Sequence, residues 1–346
     1  PTGGGKQVSC PICLEKLSWD DLPLYRYDLD LDRYVELTIP EDASEEHQAR
    51  EMRTAAVRCP NPGAQVHFLP AAYGQFGPPA VYGFIGATRS GKTHVLASMV
   101  AAIERGDLSR YGLAARPIDL NRHQRFLRES VRPLSSGGRQ LAATSEGVVS
   151  FVDGFLISGA GPERPVALFD VAGEELGDVD NAKHFLDLAD GLIFVVDPTQ
   201  IGRDSLGDRT FSTVLNLLRA SGRLSKVSAA IVLNKADLVR FEEPIAYWLR
   251  HDDDRLDAAA SLRESADVYA YLHQKGAAAW TRPYQECPRV TLHVASATGS
   301  SSSEKATTGL HSFERGVQSR RVLRPLVSLM AMTGIIIDDE ARKVGI

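Results

Sequence analysis

The chain has few cysteines, no long apolar run and no excess of positive charge, and each shortage closes off a class of protein. Four cysteines in 346 residues are too few for a disulfide framework, and three of them fall within the first 59 positions. That asymmetry points to a metal site in a reducing compartment. The most apolar late run, residues 322–337, is broken by Arg324 and Pro325 and is shorter than the roughly 20 residues a membrane span requires. It reads as a buried helix. No basic segment followed by an apolar core and a small-residue cleavage site stands at the start, so no secretory signal is read and the cytoplasm is the expected compartment. A net charge of −5 carries no bulk nucleic-acid footprint and leaves room only for a local basic patch. Hydrophobic residues at 43% and charged ones at 24% exclude wholesale disorder. The length holds one large domain, or one domain with a smaller module.

What is present is organised around Gly86-Ala87-Thr88-Arg89-Ser90-Gly91-Lys92-Thr93. An apolar, strand-like run (Val81, Tyr82, Phe84, Ile85) precedes it and a helix-like one (Val95, Leu96, Met99, Val100, Ile103) follows. This is the strand-loop-helix setting that the GxxxxGK(S/T) pattern requires. Backbone amides and the positive end of the helix would cradle phosphate oxygens, Lys92 would stand as a point charge between the outer two phosphates, and Thr93 would reach Mg²⁺.

Upstream, Cys10 and Cys13 form a CxxC knuckle, a spacing that lets two thiolates reach one tetrahedral metal. Cys59 adds a third sulfur in a Pro-rich turn, and His67, just beyond it, is the favoured fourth ligand of Zn²⁺. His47 is the alternative, but it lies in a charged, helix-like stretch that reads as a solvated face. Residues 22–39 suit a short strand or two. The module over residues 6–70 has little core of its own, so a structural metal would supply stability that its size cannot. Residues 74–79 read as a linker.

Beyond the phosphate loop, residues 106–147 are rich in Arg, Ser and Gly, with a helix expected near 121–131. Strands follow at 148–158 and 166–169. The second of these leads into Asp170-Val171-Ala172-Gly173-Glu174. An Asp at a strand end with Gly three places on suits a phosphate-hydrolysing site: the carboxylate holds Mg²⁺ and the Gly amide approaches the terminal phosphate. Further helices are expected at 178–189 and 205–221, with buried strands at 191–197 and 227–233. The second of these strands ends in Asn234-Lys235-Ala236-Asp237. A carboxylate at Asp237 accepts two hydrogen bonds from N1–H and the exocyclic amine of guanine, a donor pair that adenine lacks. Asn234 would brace the loops, and the aliphatic stem of Lys235 would cover the base. Residues 241–283 read as a helical insertion and 290–294 as the last strand. The strand leads to Ser296-Ala297-Thr298, whose amides would meet the guanine carbonyl. A closing helix is expected over 310–333, kinked or broken at Pro325.

In this order, GATRSGKT, DVAG, NKAD and SAT resemble a Ras-like, translation-factor-related P-loop GTPase across residues 80–338. With a zinc-ribbon-like start and the ending RVLRPLVSLMAMTGII, the chain more narrowly resembles the bacterial double-GTPase families of predicted conflict systems. The resemblance implies an α/β fold with a six-stranded, mostly parallel sheet flanked by helices, nucleotide at the carboxyl ends of the strands, and insertions at about 106–147 and 241–283. It also implies a switch, in which two loops are ordered by the terminal phosphate and Mg²⁺ and released on hydrolysis. Thr144, the only threonine in 106–147, is the candidate sensor. Glu174 stands where such proteins commonly carry a glutamine that orients water. A carboxylate beside a polyanion is repelled, so slow intrinsic hydrolysis is expected. Thr88 and Arg89 replace the glycines usual in small GTPases, with Arg89 either a finger on the phosphates or, as the loop geometry favours, directed to solvent.

The leading expectation is a slow GTPase switch that controls an effector protein. Alternatives are a scaffold stabilised by GTP or GDP without significant turnover, and a zinc-containing nucleic-acid-associated protein. The last draws on Arg122, Arg125, Arg128, Arg132 and Arg139, the first three of which share roughly one helix face. A solvated face is the commoner meaning of such a run, and nucleic acid is not an expected partner.

Overall fold

Ala80–Ile85 (AVYGFI), Gly191–Val196 (GLIFVV) and Ser228–Leu233 (SAAIVL) are unbroken apolar runs of six, and every residue in them is buried. Such runs are covered on both faces, as in the interior of a parallel sheet. The computed structural model describes residues 7–19, 22–40, 42–61, 65–141, 149–159, 161–171, 179–201, 206–252, 255–304 and 311–346.

Numbered along the chain, the described strands are β1 Gln7–Ser9, β2 Lys16–Ser18, β3 Leu24–Asp28, β4 Arg33–Glu36, β5 Ala56–Arg58, β6 Phe68–Pro70, β7 Ala80–Ile85, β8 Ala114–Pro117, β9 Val149–Ser158, β10 Arg164–Val171, β11 Gly191–Val196, β12 Ser228–Leu233, β13 Val290–Val294 and a short antiparallel pair, β14 Ser303–Glu304 and β15 His311–Ser312. The large sheet runs β13-β12-β11-β7-β10-β9-β8. β13, β12, β11, β7 and β10 are mutually parallel, whereas β9 pairs antiparallel with both β10 and β8. The sheet thus has seven strands where six were expected. The additional strand, β8, comes from the Arg-rich segment, whose alternation is too short (AARP) to stand out from the surrounding turns.

Helices cover both faces. On one, Lys92–Glu104 and Arg324–Met332 pack with Tyr82, Phe84, Leu168 and Ile193. On the other, Leu206–Ala220 buries Phe211, Val214, Leu215 and Leu218 against Phe194, Ile231 and Leu292. That i, i+3, i+4, i+7 spacing is the apolar stripe of a surface helix. The closing helix begins at Arg324, with Pro325 in its first turn. It does not run from 310 with a kink: Pro lacks an N–H, which costs nothing in a first turn and a bond in the interior. The helix expected at 121–131 starts at Leu120, capped by the Asp119 carboxylate, widens into a π turn over Leu127–Val131 and ends at Ser135.

The N-terminal segment forms two small sheets, β1-β2 and β4-β3-β5-β6. Its apolar cluster (Ile12, Leu17, Val57, Leu69, Tyr73) is completed by Ile118 and Leu156 of the large domain. The entry to residues 74–79 is packed, although Gln75, Gly77 and Pro78 are exposed. Tyr73 is buried and donates its hydroxyl to Ser9 O at 2.8 Å, and a Cβ on Gly74 would lie 2.4 Å from the Trp19 ring. Polar contacts extend the seam: Phe68 N donates to Asp119 at 2.9 Å, Leu120 N to Tyr34 Oη at 3.1 Å, and Arg128 pairs with Asp32 at 2.9 Å.

Candidate functional site

Among the described residues, the phosphate loop, Asp170, Asn234-Lys235-Ala236-Asp237 and Ser296-Ala297-Thr298 lie at the carboxyl edge of the parallel strands. β7 is central and is followed by the phosphate loop. Its neighbours β10 and β11 end at Val171 and Val196, and the ends of β12 and β13 lead to Asn234 and Ser296. The chain crosses to β10 on one side of β7 and to β11 on the other, which makes this edge a topological switch point with a crevice outside the strand ends.

Within the loop, Ser90 N bonds Ala87 O at 3.0 Å. Gly91 has φ 85°, and its helix, Lys92–Glu104, carries no side-chain cap, so the amide end of the helix faces the crevice. A Cβ on Gly91 would lie 2.5 Å from Asn234 Nδ2, and one on Gly86 2.7 Å from Ser90 Oγ. Both glycines are therefore demanded by close approach. Thr88 and Arg89 are exposed. Lys92 is buried and pairs with Asp170 Oδ1 at 2.8 Å while donating to Val171 O. The phosphate loop and the DxxG strand end are thereby joined.

The same loop is tied to the base-recognition motifs. Asn234 Nδ2 donates to Ser90 O at 3.0 Å, and its Oδ1 accepts from Ala297 N at 3.2 Å. The bracing expected of Asn234 is what its two ends do. Lys235, held at φ 53°, donates to Arg89 O at 2.7 Å and to Asp197 Oδ2 at 2.5 Å. Non-glycine residues in this region carry strain of order 1–3 kcal/mol and concentrate at functional sites. Asp237 accepts from Ser296 Oγ at 2.5 Å, and Gly299 N bonds the same hydroxyl at 2.9 Å. Thr298 is buried beside them. Thr144, Gly173 and Glu174 lie outside the described residues.

Asp197 and His94 were missed by sequence reasoning. Asp197 closes β11 and positions Lys235, and its signal was the acid ending GLIFVVD. His94 accepts from Leu141 N at 3.2 Å, and nothing in the sequence marks it. Burial, then the Lys235 charge, lowers its pKa to about 4, so it is a neutral acceptor at pH 7. Two arginines of the run have partners: the half-buried Arg122 lies against Asp119 and over the Phe151 ring, and Arg128 meets Asp32 in an exposed pair.

In the N-terminal segment Cys10, Cys13, Cys59 and His67 converge, with their ligand atoms all within 4.8 Å of one another. Cys13 Sγ and Cys59 Sγ are 3.9 Å apart, close to the ~3.8 Å that two sulfurs span on tetrahedral zinc with Zn–S near 2.3 Å. Cys10 Sγ lies 3.1 Å from His67 Nε2. His67 Nδ1 is 2.7 Å from Gln65 O, a bond that fixes the ring and leaves Nε2 to face the sulfurs. Burial opposes a charged His67 ring, but the Cys13 and Cys59 thiols override it and push its pKa up to about 9. The donor set fits zinc. His47 plays no part: it caps nothing here and contacts Arg50 at 3.0 Å on an exposed helix.

A phosphate loop on the central strand of such a sheet, with NKAD and SAT tied to it, defines a nucleotide-binding protein of the P-loop class. The chain belongs to the Double-GTPase 2 family, whose model matches residues 80–279, and it is a GTPase-type protein. No curated protein matches the chain. Among solved structures, Sup35 complexed with GDP is similar at 15% identity and TM-score 0.30, covering 64% of this chain and 38% of that one. The chain thus spans well under two thirds of Sup35. An ADP-ribosylation-factor-like GTP-binding protein, the small COPII coat GTPase SAR1 from Encephalitozoon cuniculi in complex with GDP, is similar at 14% identity and TM-score 0.31, covering 76% of this chain and 81% of that one.

Proposed function

We propose that the chain is a GTP-binding, slowly GTP-hydrolysing switch that controls an effector protein through nucleotide-dependent loops. The observation that carries this reading is the pair of hydrogen bonds from Asn234, one to Ser90 O of the phosphate loop and one from Ala297 N of the SAT loop. A single ligand with phosphates at one end and a guanine at the other then has both of its sites held in one frame.

In this reading the amides of residues 86–93 hold the phosphates and Lys92 leaves Asp170 to meet them. The Asp237 carboxylate takes N1–H and the exocyclic amine of guanine, the Thr298 amide faces its carbonyl while those of Ser296 and Ala297 stay bonded to Arg320 O and Asn234 Oδ1, and the Lys235 stem lies on its plane. Thr93 and Asp170 offer a hydroxyl and a carboxylate, the hard oxygen donors that suit Mg²⁺, which when bound neutralises charge on the outer phosphates. Thr144 and the Gly173 amide sense the terminal phosphate, and Glu174 orients the attacking water. Repulsion between Glu174 and the phosphates keeps turnover slow until an activator supplies positive charge. Cys10, Cys13, Cys59 and His67 hold a structural Zn²⁺. The site of action is the cytoplasm.

The test is the identity of the copurifying nucleotide, with titration of GTP, GDP and ATP against the chain and Asp237→Ala. Guanine preference that disappears in the variant, with GTP converted slowly to GDP in single turnover, is the expected result. Equal affinity for ATP would remove the assignment of Asp237, and hydrolysis much faster than an unassisted small GTPase would remove that of Glu174.

A further inference from the structure

The base end of the crevice opens into a cavity of about 500 Å³, with Asp237, Ser296 and Thr298 on one side and Arg240, Arg250, Arg315 and Arg320 around the rest. All four arginines are exposed. Among the described residues none of the four has an acidic partner, in contrast to Arg321 and Arg324, which pair with Glu264 and Asp252. In a chain of net charge −5 such a concentration of unneutralised guanidinium is a local departure from the whole. Asp237 is the one carboxylate in the lining, and it is engaged by Ser296. Of the acids next to the lining in sequence, Glu242 pairs with Lys275 and accepts from Tyr271, Glu314 accepts from Ser303 Oγ, and Glu243 is exposed.

A second feature points the same way. Phe241 lines this cavity and is 84% exposed, an uncommon state for so large an apolar ring. The Arg240 guanidinium stands 4.9 Å above its centroid. Unpaired arginines beside an exposed aromatic face make the combination that holds single-stranded nucleic acid: guanidinium groups take the phosphates, and the ring stacks a base. The walls are also built into the site. Arg320 exchanges both backbone hydrogen bonds with Ser296, at 3.0 and 2.8 Å, and Gln318 N bonds Thr298 O at 2.9 Å.

We propose that the arginine-lined side of this cavity, beside and outside the guanine place that Asp237, Ser296 and Thr298 make in the proposed function, binds a single strand of RNA or DNA, with Arg240, Arg250, Arg315 and Arg320 on phosphates and Phe241 under a base. The footprint that the overall charge hides lies here and not on the Arg122–Arg139 run. A recessed cavity receives an unpaired strand and excludes a duplex, whose bases are already stacked and turned inward.

Fluorescence anisotropy of labelled single-stranded RNA and DNA oligonucleotides with the full chain, across a salt series, tests this. Each phosphate contact contributes a log–log salt slope of about −0.7 on a single strand, so four contacts give a slope near −3 and Arg240→Gln with Arg315→Gln together flatten it by about 1.4. Phe241→Ala should weaken binding on the order of tenfold at an unchanged slope, because stacking releases no counterions. The RNA and DNA arms distinguish which strand is preferred. GTP binding and the melting temperature stay as they are in both variants. No binding at low salt, a slope indifferent to the arginine pair, or poly-glutamate competing as well as the oligonucleotide would each overturn the proposal.

Discussion

Gly91 concentrates the demands of the site in one residue. Its φ of 85° is in the left-handed region, and any Cβ there would meet Asn234 Nδ2 at 2.5 Å. Gly91→Ala therefore strains the backbone and displaces the side chain that braces two loops. The expected cost is about 1–3 kcal/mol of stability, together with a loss of affinity for phosphate and base ends alike. Denaturant titration and nucleotide titration check it. A variant that lost affinity for one end only would mean that Asn234 does not couple them.

The edge strand β13 shows how an element is held where its ladder runs out. Val294 N donates to Glu264 Oε1 at 2.8 Å and Val294 O accepts from Arg321 Nε at 3.1 Å. The two side chains, paired at 2.5 Å, take the place of a further strand at the point where β13 leads into Ser296. Burial alone would raise the Glu264 carboxyl, but Arg321, then His293 and the Val294 amide, hold it down at about 2. A depressed carboxylate contributes stability that is fully present above its unfolded pKa near 4.5 and is lost as pH falls through 2. The wild-type chain should lose about 3 kcal/mol between those limits from this group. Melting curves at pH 5, 4 and 3 should fall more steeply for the chain than for Glu264→Gln, and parallel curves would contradict the assignment.

At the scale of the molecule the N-terminal segment and the large sheet share a core. Ile118 and Leu156 complete the cluster around Cys10 and Cys59, and Asp32, Tyr34 and Phe68 bond the helix that begins at Leu120. Removing zinc, by chelator or by Cys13→Ser, should then do more than unfold residues 7–70. It should expose β8 and β9 and lower the melting temperature of the rest. One zinc per chain by elemental analysis, and new proteolytic cuts near residues 110–130 after chelation, are the expected results. Unchanged protection there would mean that the seam does not depend on the metal.

The sequence by itself determined the nucleotide motifs, their order and the Cys10–Cys13 pair of sulfurs, because each depends on residue types at short fixed spacing: GxxxxGKT, NKxD and CxxC place their groups within one turn or loop. It also determined the inner strands, whose apolar runs leave no alternative to burial on both faces. Only the tertiary structure decided between His67 and His47, since that choice rests on which ring is carried to sulfurs far away in the chain. It alone gave β8 a strand to pair with, set Gly74 against the Trp19 ring, and put Asp197 beside Lys235. Arg122 and Arg128 were paired with Asp119 and Asp32, while Arg240, Arg250, Arg315 and Arg320, scattered along the chain and without pattern, were gathered around one cavity. Contacts between distant segments depend on how elements stack, and no local spacing records that.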